Sequence, residues 1–241
     1  MTRSRINALR LNHKVDIDDF TDSVHHNGIL INPKISTNIF LMGENDYAGP
    51  GEVSTEPGVE YLMANRFVKN MNLARLVNPN APVVVHSKTC GGFSDEGMSI
   101  YDSIKASQTP VTVLSYIHSR SMSSLVLLAA NKRVMMPHSY FMFHDGDWSM
   151  AGTVKQVLSA MEFERRTDCM IDIYVEALKE QGKYKDMDEK RIKSMLRRKM
   201  DKKEEVYLTA NEAVEWGFAD EIFDGNWNNL TKYTAAQRKR K

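Results

Sequence analysis

Three features predict an α/β architecture in one domain, built mainly on a parallel sheet. Short β-type runs alternate with helical stretches, a Val-rich segment has the look of a strand buried on both faces, and the joins are short. Asn38–Met42 ends at Gly43 and reads as the first strand. Val59–Leu76 follows as a helix, with Tyr61, Leu62, Phe67, Val68 and Met71 near helical spacing. Pro82–His86 carries three consecutive valines and runs toward the break at Gly91-Gly92. Ser94–Ala106 is the next helix, with Met98, Tyr101 and Ile104 on one face, and Val111–Ile117 the next strand.

The uninterrupted apolar run Leu125–Ala130 predicts a buried helix, followed by a strand over Arg133–Met136 that Pro137 punctuates. Ser139–Phe143 returns as a strand. One long helix is expected over about Thr153–Glu180, since Val154, Val157, Leu158 and Met161 form a helical stripe. Asp188–Met200 reads as a polar, basic helix. Val206-Tyr-Leu208 leads to Thr209, a fitting N-cap for a helix over Ala210–Trp216, and Phe218–Phe223 closes the pattern.

The chain has 241 residues, 42% hydrophobic and 26% charged, which is ordinary globular composition and enough to bury a core. Lys and Arg number 32 against 31 Asp and Glu, and this near-neutral balance argues against a dedicated nucleic-acid binder. No apolar run approaches the roughly 20 residues that span a bilayer, and the basic start is followed by no apolar signal region. Cys90 and Cys169 cannot make a disulfide framework, so a reducing, cytoplasmic setting is expected. Charge is segregated nonetheless. Arg3, Arg5, Arg10 and Lys14 open the chain, and Lys232, Arg238, Lys239, Arg240 and Lys241 close it, over a mildly acidic body. Both ends are expected as solvated tails. The segment 45–58, dense in Gly and Pro, is expected as a loop.

The most informative segment is Ser119-Arg-Ser-Met-Ser-Ser124, a serine-rich turn between a strand and a buried helix. A serine there can present its hydroxyl at the sheet edge while unpaired backbone N–H groups of the helix start face an oxyanion. It can equally serve only to cap the helix. The glycine-bracketed nucleophile-elbow pattern is absent. A serine nucleophile needs a base, and His86, His118 and His144 all stand near strand ends. Position alone does not choose among them. Gly91-Gly92, between a strand and a helix, permits close backbone approach to a ligand. It matches no dinucleotide or phosphate-binding fingerprint, and no metal-ligand spacing is present, so no cofactor or metal is expected.

Taken in order, Gly91-Gly-Phe-Ser-Asp-Glu-Gly-Met-Ser-Ile-Tyr-Asp102, Ser121-Met122, Phe141-Met-Phe-His144 and Thr209-Ala-Asn-Glu-Ala-Val-Glu-Trp-Gly-Phe-Ala-Asp220 resemble the Clp (caseinolytic) protease proteolytic subunit family. The resemblance runs from about Ile39 to Ile222. It implies an N-terminal extension over 1–37, a protease domain over 38–224 and a basic C-terminal tail over 225–241. The fold it implies is a crotonase-like spiral of repeated strand–strand–helix units, with the helix near 153–180 as the handle joining two stacked seven-membered rings. The activity it implies is serine endopeptidase chemistry on peptides or unfolded proteins, fed by an ATP-driven unfoldase. Carried over by position, Ser121 is the nucleophile and His144 the base. The oxyanion donors are the N–H groups of Gly92 and Met122, and Gly91, Gly92 and Phe93 hold substrate as an added strand. The family's catalytic Asp falls on Glu205, a carboxylate one methylene longer, with Asp201 and Glu204 as neighbouring alternatives. Arg120 and the Thr89-Cys90 pair depart from the family's usual residues. With the long 45–58 loop, they resemble divergent, often phage-associated relatives. That leaves a non-catalytic ring subunit and a capsid-maturation protease as further expectations. Acyl-thioester chemistry on the same fold needs no Ser–His pair and fits less well.

Overall fold

In the computed structural model the described residues are 29–32, 36–42, 58–146, 149–167 and 169–240. A sheet of eight strands is built on the order β1 (Ile29–Asn32), β2 (Ser36–Met42), β3 (Val83–Thr89), β4 (Val111–Arg120), β5 (Lys132–Met135) and β8 (Glu221–Ile222). From β2 to β8 the neighbours are parallel, as the sequence predicts. The antiparallel hairpin of β1 and β2 adds an edge. Part of the expected N-terminal extension therefore belongs to the sheet.

Strand alternation divides two hydrophobic clusters between the sheet faces. Val83 and Val85 join the main core, while Val84 points the other way with Leu114 and Val134. Over the main core lie α1 (Tyr61–Val77), α2 (Ser94–Lys105) and α3 (Met122–Ala129). Also on this side are α5 (Met170–Glu180), α6 (Glu189–Lys203) and α7 (Ala210–Trp216), all of which contribute buried side chains. Local caps set the helix starts. The Glu60 carboxylate accepts from the Leu62 and Met63 N–H groups, both at 2.8 Å. Thr209 and Glu212 form a reciprocal capping box at the start of α7.

The single helix expected over Thr153–Glu180 is two: α4 (Val154–Thr167) and α5, which starts at Met170 behind Cys169. Thr167, Asp168 and Cys169 are weak helix formers in succession, and the hydrophobic stripe alone did not reveal the break. The 45–58 loop lies outside the described residues except for Gly58.

A second correction concerns the C-terminal segment. It is docked on the second face of the sheet rather than solvated. A 3-10 turn at Trp227–Thr231 places Leu230, 2% exposed, among Val84, Leu114 and Val134. The Thr112 hydroxyl donates to the Leu230 carbonyl at 2.6 Å. A short helix α8 (Ala235–Lys239) then brings Arg240 back to the core. Its guanidinium pairs with Asp220 at 3.0 Å and Glu180 at 2.8 Å, and Glu180 also takes the buried Arg133 at 2.9 Å. Basic residues at a chain end read as solvated because these acids lie far away in sequence.

Strand β4 positions the candidate site. Its first half pairs with β5 and its last three residues pair with β6 (Tyr140–Phe143). The switch follows a register shift against β3, where Ser87 faces Ser115 but Thr89 faces Ser119. The extra residues bend β4 and carry Ser119–Arg120 onto the second sheet segment, as a bulge does. Strand β7 (Val206–Thr209) then pairs antiparallel with β6.

Candidate active site

Ser121 stands between the end of β4 and the first residue of α3, at φ 52 and ψ −133. This is a strained conformation for a residue with a side chain. Its neighbours explain why the segment carries so many serines. The Ser119 hydroxyl donates to Ser115 at 2.9 Å, and Ser123 donates to the Thr89 carbonyl at 2.6 Å, tying the helix start to β3. Ser124 bonds the Ser121 carbonyl at 2.6 Å and the Tyr174 hydroxyl at 2.8 Å. Ser121 occupies the N-cap position but makes no side-chain capping bond. Among the described residues its hydroxyl has no hydrogen-bond partner.

The glycine pair is shaped by two different contacts. Gly91, at φ 95, lies so close to the serine turn that a Cβ would sit 2.6 Å from the Ser121 Cβ and 2.9 Å from the Arg120 carbonyl. Gly92, at φ 150, is pressed instead against Val59, whose carbonyl oxygen a Cβ would meet at 2.2 Å. Val59 donates to the Gly91 carbonyl at 2.5 Å and accepts from Phe93 N–H at 3.0 Å, forming a parallel bridge opposite Gly92. One edge of the predicted substrate strand is thus occupied by the chain itself. In extended backbone successive residues present their groups to opposite sides, so the N–H and C=O of Gly92 face the other edge. The Phe93 side chain is 71% exposed beside it. Met122, buried, begins α3, so its N–H is one of the donors a helix start leaves unpaired.

His144 directly follows β6. It is half-buried, and its Nε2 is buried without a hydrogen-bond partner. The β6–β7 ladder pairs Met142 with Tyr207 and Phe143 with Val206. The ladder ends there: His144 directly follows β6, and Glu205 directly precedes β7. Glu205 is exposed, and its Oε2 accepts from the Tyr207 hydroxyl at 2.5 Å. Glu204, with φ 57, caps the end of α6, and Asp201 lies within that helix. Of the three acids, Glu205 is the one that stands directly beside the β6–β7 ladder. Among the described residues no hydrogen bond joins Ser121 to His144 or His144 to Glu205.

Of the other histidines, His86 is fully used. Its ring nitrogens bond the Tyr116 hydroxyl and Asn38 Oδ1, each at 3.0 Å, and its ring stacks on Phe40. Burial pulls its pKa down to about 4, so it is neutral across the ordinary pH range. Sequence reasoning missed Tyr207, although its i+2 spacing from Glu205 in a strand puts the two side chains on one face. No cluster of three or more His, Cys, Asp or Glu among the described residues is arranged to hold a metal ion. No helix among them is long and apolar enough to cross a membrane.

Comparison with known proteins identifies the fold and the family. The fold resembles a ClpP1 point mutant from Listeria monocytogenes at a TM-score of 0.60 and 20% identity, covering 88% of this chain and 99% of that one. The ATP-dependent Clp protease proteolytic subunit of Deinococcus radiodurans is 27% identical over 174 residues, 71% of this chain and 79% of its own length. Proteolytic subunit 1 of the same protease from Chlamydia trachomatis is 29% identical over 175 residues, 70% of this chain and 83% of its own. The family model described as Clp protease matches residues 51–226, a span that holds the glycine pair, the serine turn, His144 and the β7 acid. The chain belongs to the Clp protease family, with the α/β fold of that family.

Proposed function

We propose that this chain is a self-compartmentalising serine endopeptidase in which Ser121 is the nucleophile, His144 the general base and Glu205 the acid that orients it. The observation that carries the reading is the contrast within the serine turn. Three serines are tied to the fold, while Ser121 alone combines a strained backbone, a hydroxyl without a partner and a glycine packed against it. In the reaction, His144 Nε2 takes the proton as the Ser121 oxygen attacks the peptide carbonyl. The resulting oxyanion accepts hydrogen bonds from the Gly92 and Met122 N–H groups. His144 then returns the proton to the leaving amine, and water hydrolyses the acyl-enzyme by the same relay. Substrate lies along the open edge of Gly91–Phe93, where main-chain hydrogen bonds tolerate many side chains. The triad hydrogen bonds absent from the free protein tighten when substrate seats, as is common in unliganded sites.

Assembly belongs to this proposal: stacked seven-membered rings, supplied by an ATP-dependent unfoldase, in the cytoplasm. Supporting it, Val154, Leu158 and Met161 form an exposed apolar stripe at helical spacing along α4. The test is labelling with a serine-directed fluorophosphonate and hydrolysis of a peptide, run on the size-fractionated assembly. Ser121→Ala is expected to abolish both and leave the assembly intact. Undiminished labelling of that variant overturns the assignment. A second reading, a ring subunit without turnover, is favoured by the departures from the family's residues at Arg120 and Glu205. It predicts correct assembly and no labelling of the wild-type protein.

A further inference from the structure

We propose that Tyr207 is a positioning residue for the catalytic acid, its hydroxyl fixing the Glu205 carboxylate so that the free oxygen faces His144 despite the extra methylene. The inference rests on the reading of Glu205 as the third member of the triad.

Three observations converge on it. The Tyr207 hydroxyl donates to Glu205 Oε2 at 2.5 Å, which leaves Oε1 without a partner among the described residues. Tyr207 stands opposite Met142 on the β6–β7 ladder, and at the end of that ladder Glu205 directly precedes β7 while His144 directly follows β6. The tyrosine ring is itself held. It packs on Tyr140 with centroids 5.7 Å apart, and Tyr140 packs on His118 at 5.4 Å. This aromatic row crosses β4, β6 and β7, so the hydroxyl projects from a fixed platform while a glutamate on its own would sample several rotamers.

The groups facing this hydroxyl are few. On β7 there is Glu205, on β6 Tyr140 and His144 beyond the strand, and on β4 Arg120, whose partner across the ladder, Met142, is also the partner of Tyr207. The hydrogen bond to Glu205 raises the Tyr207 pKa, with burial and the carboxylate charge adding and Arg120 opposing. The hydroxyl therefore keeps its proton and remains a donor through the neutral range. Arg120 is steered from the other side, its Nε donating to the Cys90 carbonyl at 3.2 Å. A long acid and a tyrosine two residues later thus perform together what a shorter acid does alone.

The experiment measures kcat and KM for peptide hydrolysis by the assembled full-length protein across about pH 5 to 9, the range in which an imidazole titrates. Wild type is compared with Tyr207→Phe, Glu205→Gln and the double variant. Phenylalanine keeps the ring packing and removes only the hydroxyl. Tyr207→Phe is expected to lower kcat about tenfold, the effect of one hydrogen bond to a charged group, with KM unchanged. It also moves the acid limb of kcat/KM to lower pH, because a carboxylate no longer held against the imidazole stabilises imidazolium less. In the Glu205→Gln background the same change does nothing further. Shortening the acid instead, as Glu205→Asp in the Tyr207→Phe background, recovers most of the lost rate. An unmoved acid limb, an equal loss in the Glu205→Gln background, or no recovery with aspartate each overturns the proposal. If Ser121→Ala itself hydrolyses peptide, the underlying reading of the site has failed. If that variant is inactive and Tyr207→Phe matches wild type, only the role of Tyr207 has failed.

Discussion

Two histidines on one sheet, His86 on β3 and His144 after β6, live in opposite surroundings. His86 has both ring nitrogens bonded, a stacked phenylalanine beneath it and Trp227 with its centroid 6.2 Å away. His144 has a buried Nε2 with nothing to bond. The same division separates whole regions. Around the docked C-terminal segment, Thr112, Asn131 and Arg240 meet partners, although Nε and Nη1 of the buried Arg133 beside them do not. At the β4–α3 turn, the backbone is strained and a hydroxyl and a ring nitrogen are left open. An unmet buried polar atom costs free energy, and at His144 it coincides with a strained serine turn, a combination found at neither Ser87 nor Arg133. The first region holds the fold, and the second is where the proposed chemistry would act.

Substituting the two histidines separately is the strongest way to break this contrast. His144→Gln is expected to lower kcat for peptide hydrolysis by roughly ten-thousandfold or more, as loss of a triad base does, while the melting temperature stays near wild type. His86→Phe is expected to keep fluorophosphonate labelling. Retained turnover in His144→Gln, or lost labelling in a folded His86→Phe, would erase the distinction.

The holding region is probed at Arg240. Its guanidinium joins Asp220 and Glu180, and it also donates to the Asn131 carbonyl at 2.9 Å. Burial works to raise the Asp220 pKa, but the hydrogen bond and charge of Arg240, with the Arg133 N–H, outweigh it and hold the pKa low. Arg240→Ala leaves those acids with Arg133 as the nearby buried cation. The expected loss is about 3 kcal/mol of unfolding free energy, the scale for breaking a buried ion pair. Urea denaturation measures it, and labelling of Ser121 in the folded variant stays unchanged. A loss within experimental error would mean that the segment rests on the core without stabilising it.

The two regions also differ in how far the sequence discloses them. The valine triplet at 83–85, the Thr209–Glu212 cap and the apolar run of α3 announce their structures locally, because periodicity and capping act over a few residues. The choice of Ser121 over Ser119, Ser123 and Ser124 is not local. It depends on Ser115, Thr89 and Tyr174, which occupy the other hydroxyls from separate elements. Family resemblance points to Ser121 without supplying that reason. Glu205 is reached by resemblance too, and its place beside the β6–β7 ladder needs β7 paired to β6 from more than sixty residues away. Arg240 misled because a cluster of like charges at a chain end carries no sign of distant acids. Tyr207 was overlooked because an aromatic in a strand reads as packing.

The smallest expected effect tests whether the holding region depends on His86 remaining neutral. Its pKa falls from 6.5 in the unfolded chain to about 4 in the fold, through burial. Between those values the unfolded state binds the proton and the native state does not, so stability falls as the pH is lowered from 6.5 toward 4 and levels off below. The full shift sets an upper bound of about 3 kcal/mol. Urea midpoints across this window, in wild type and His86→Phe, isolate the contribution because phenylalanine cannot titrate. The variant is expected to show a flatter dependence on pH by up to that amount. Equal slopes in the two proteins would mean that His86 charges without disturbing its neighbours, and that the tightly bonded face tolerates what its geometry opposes.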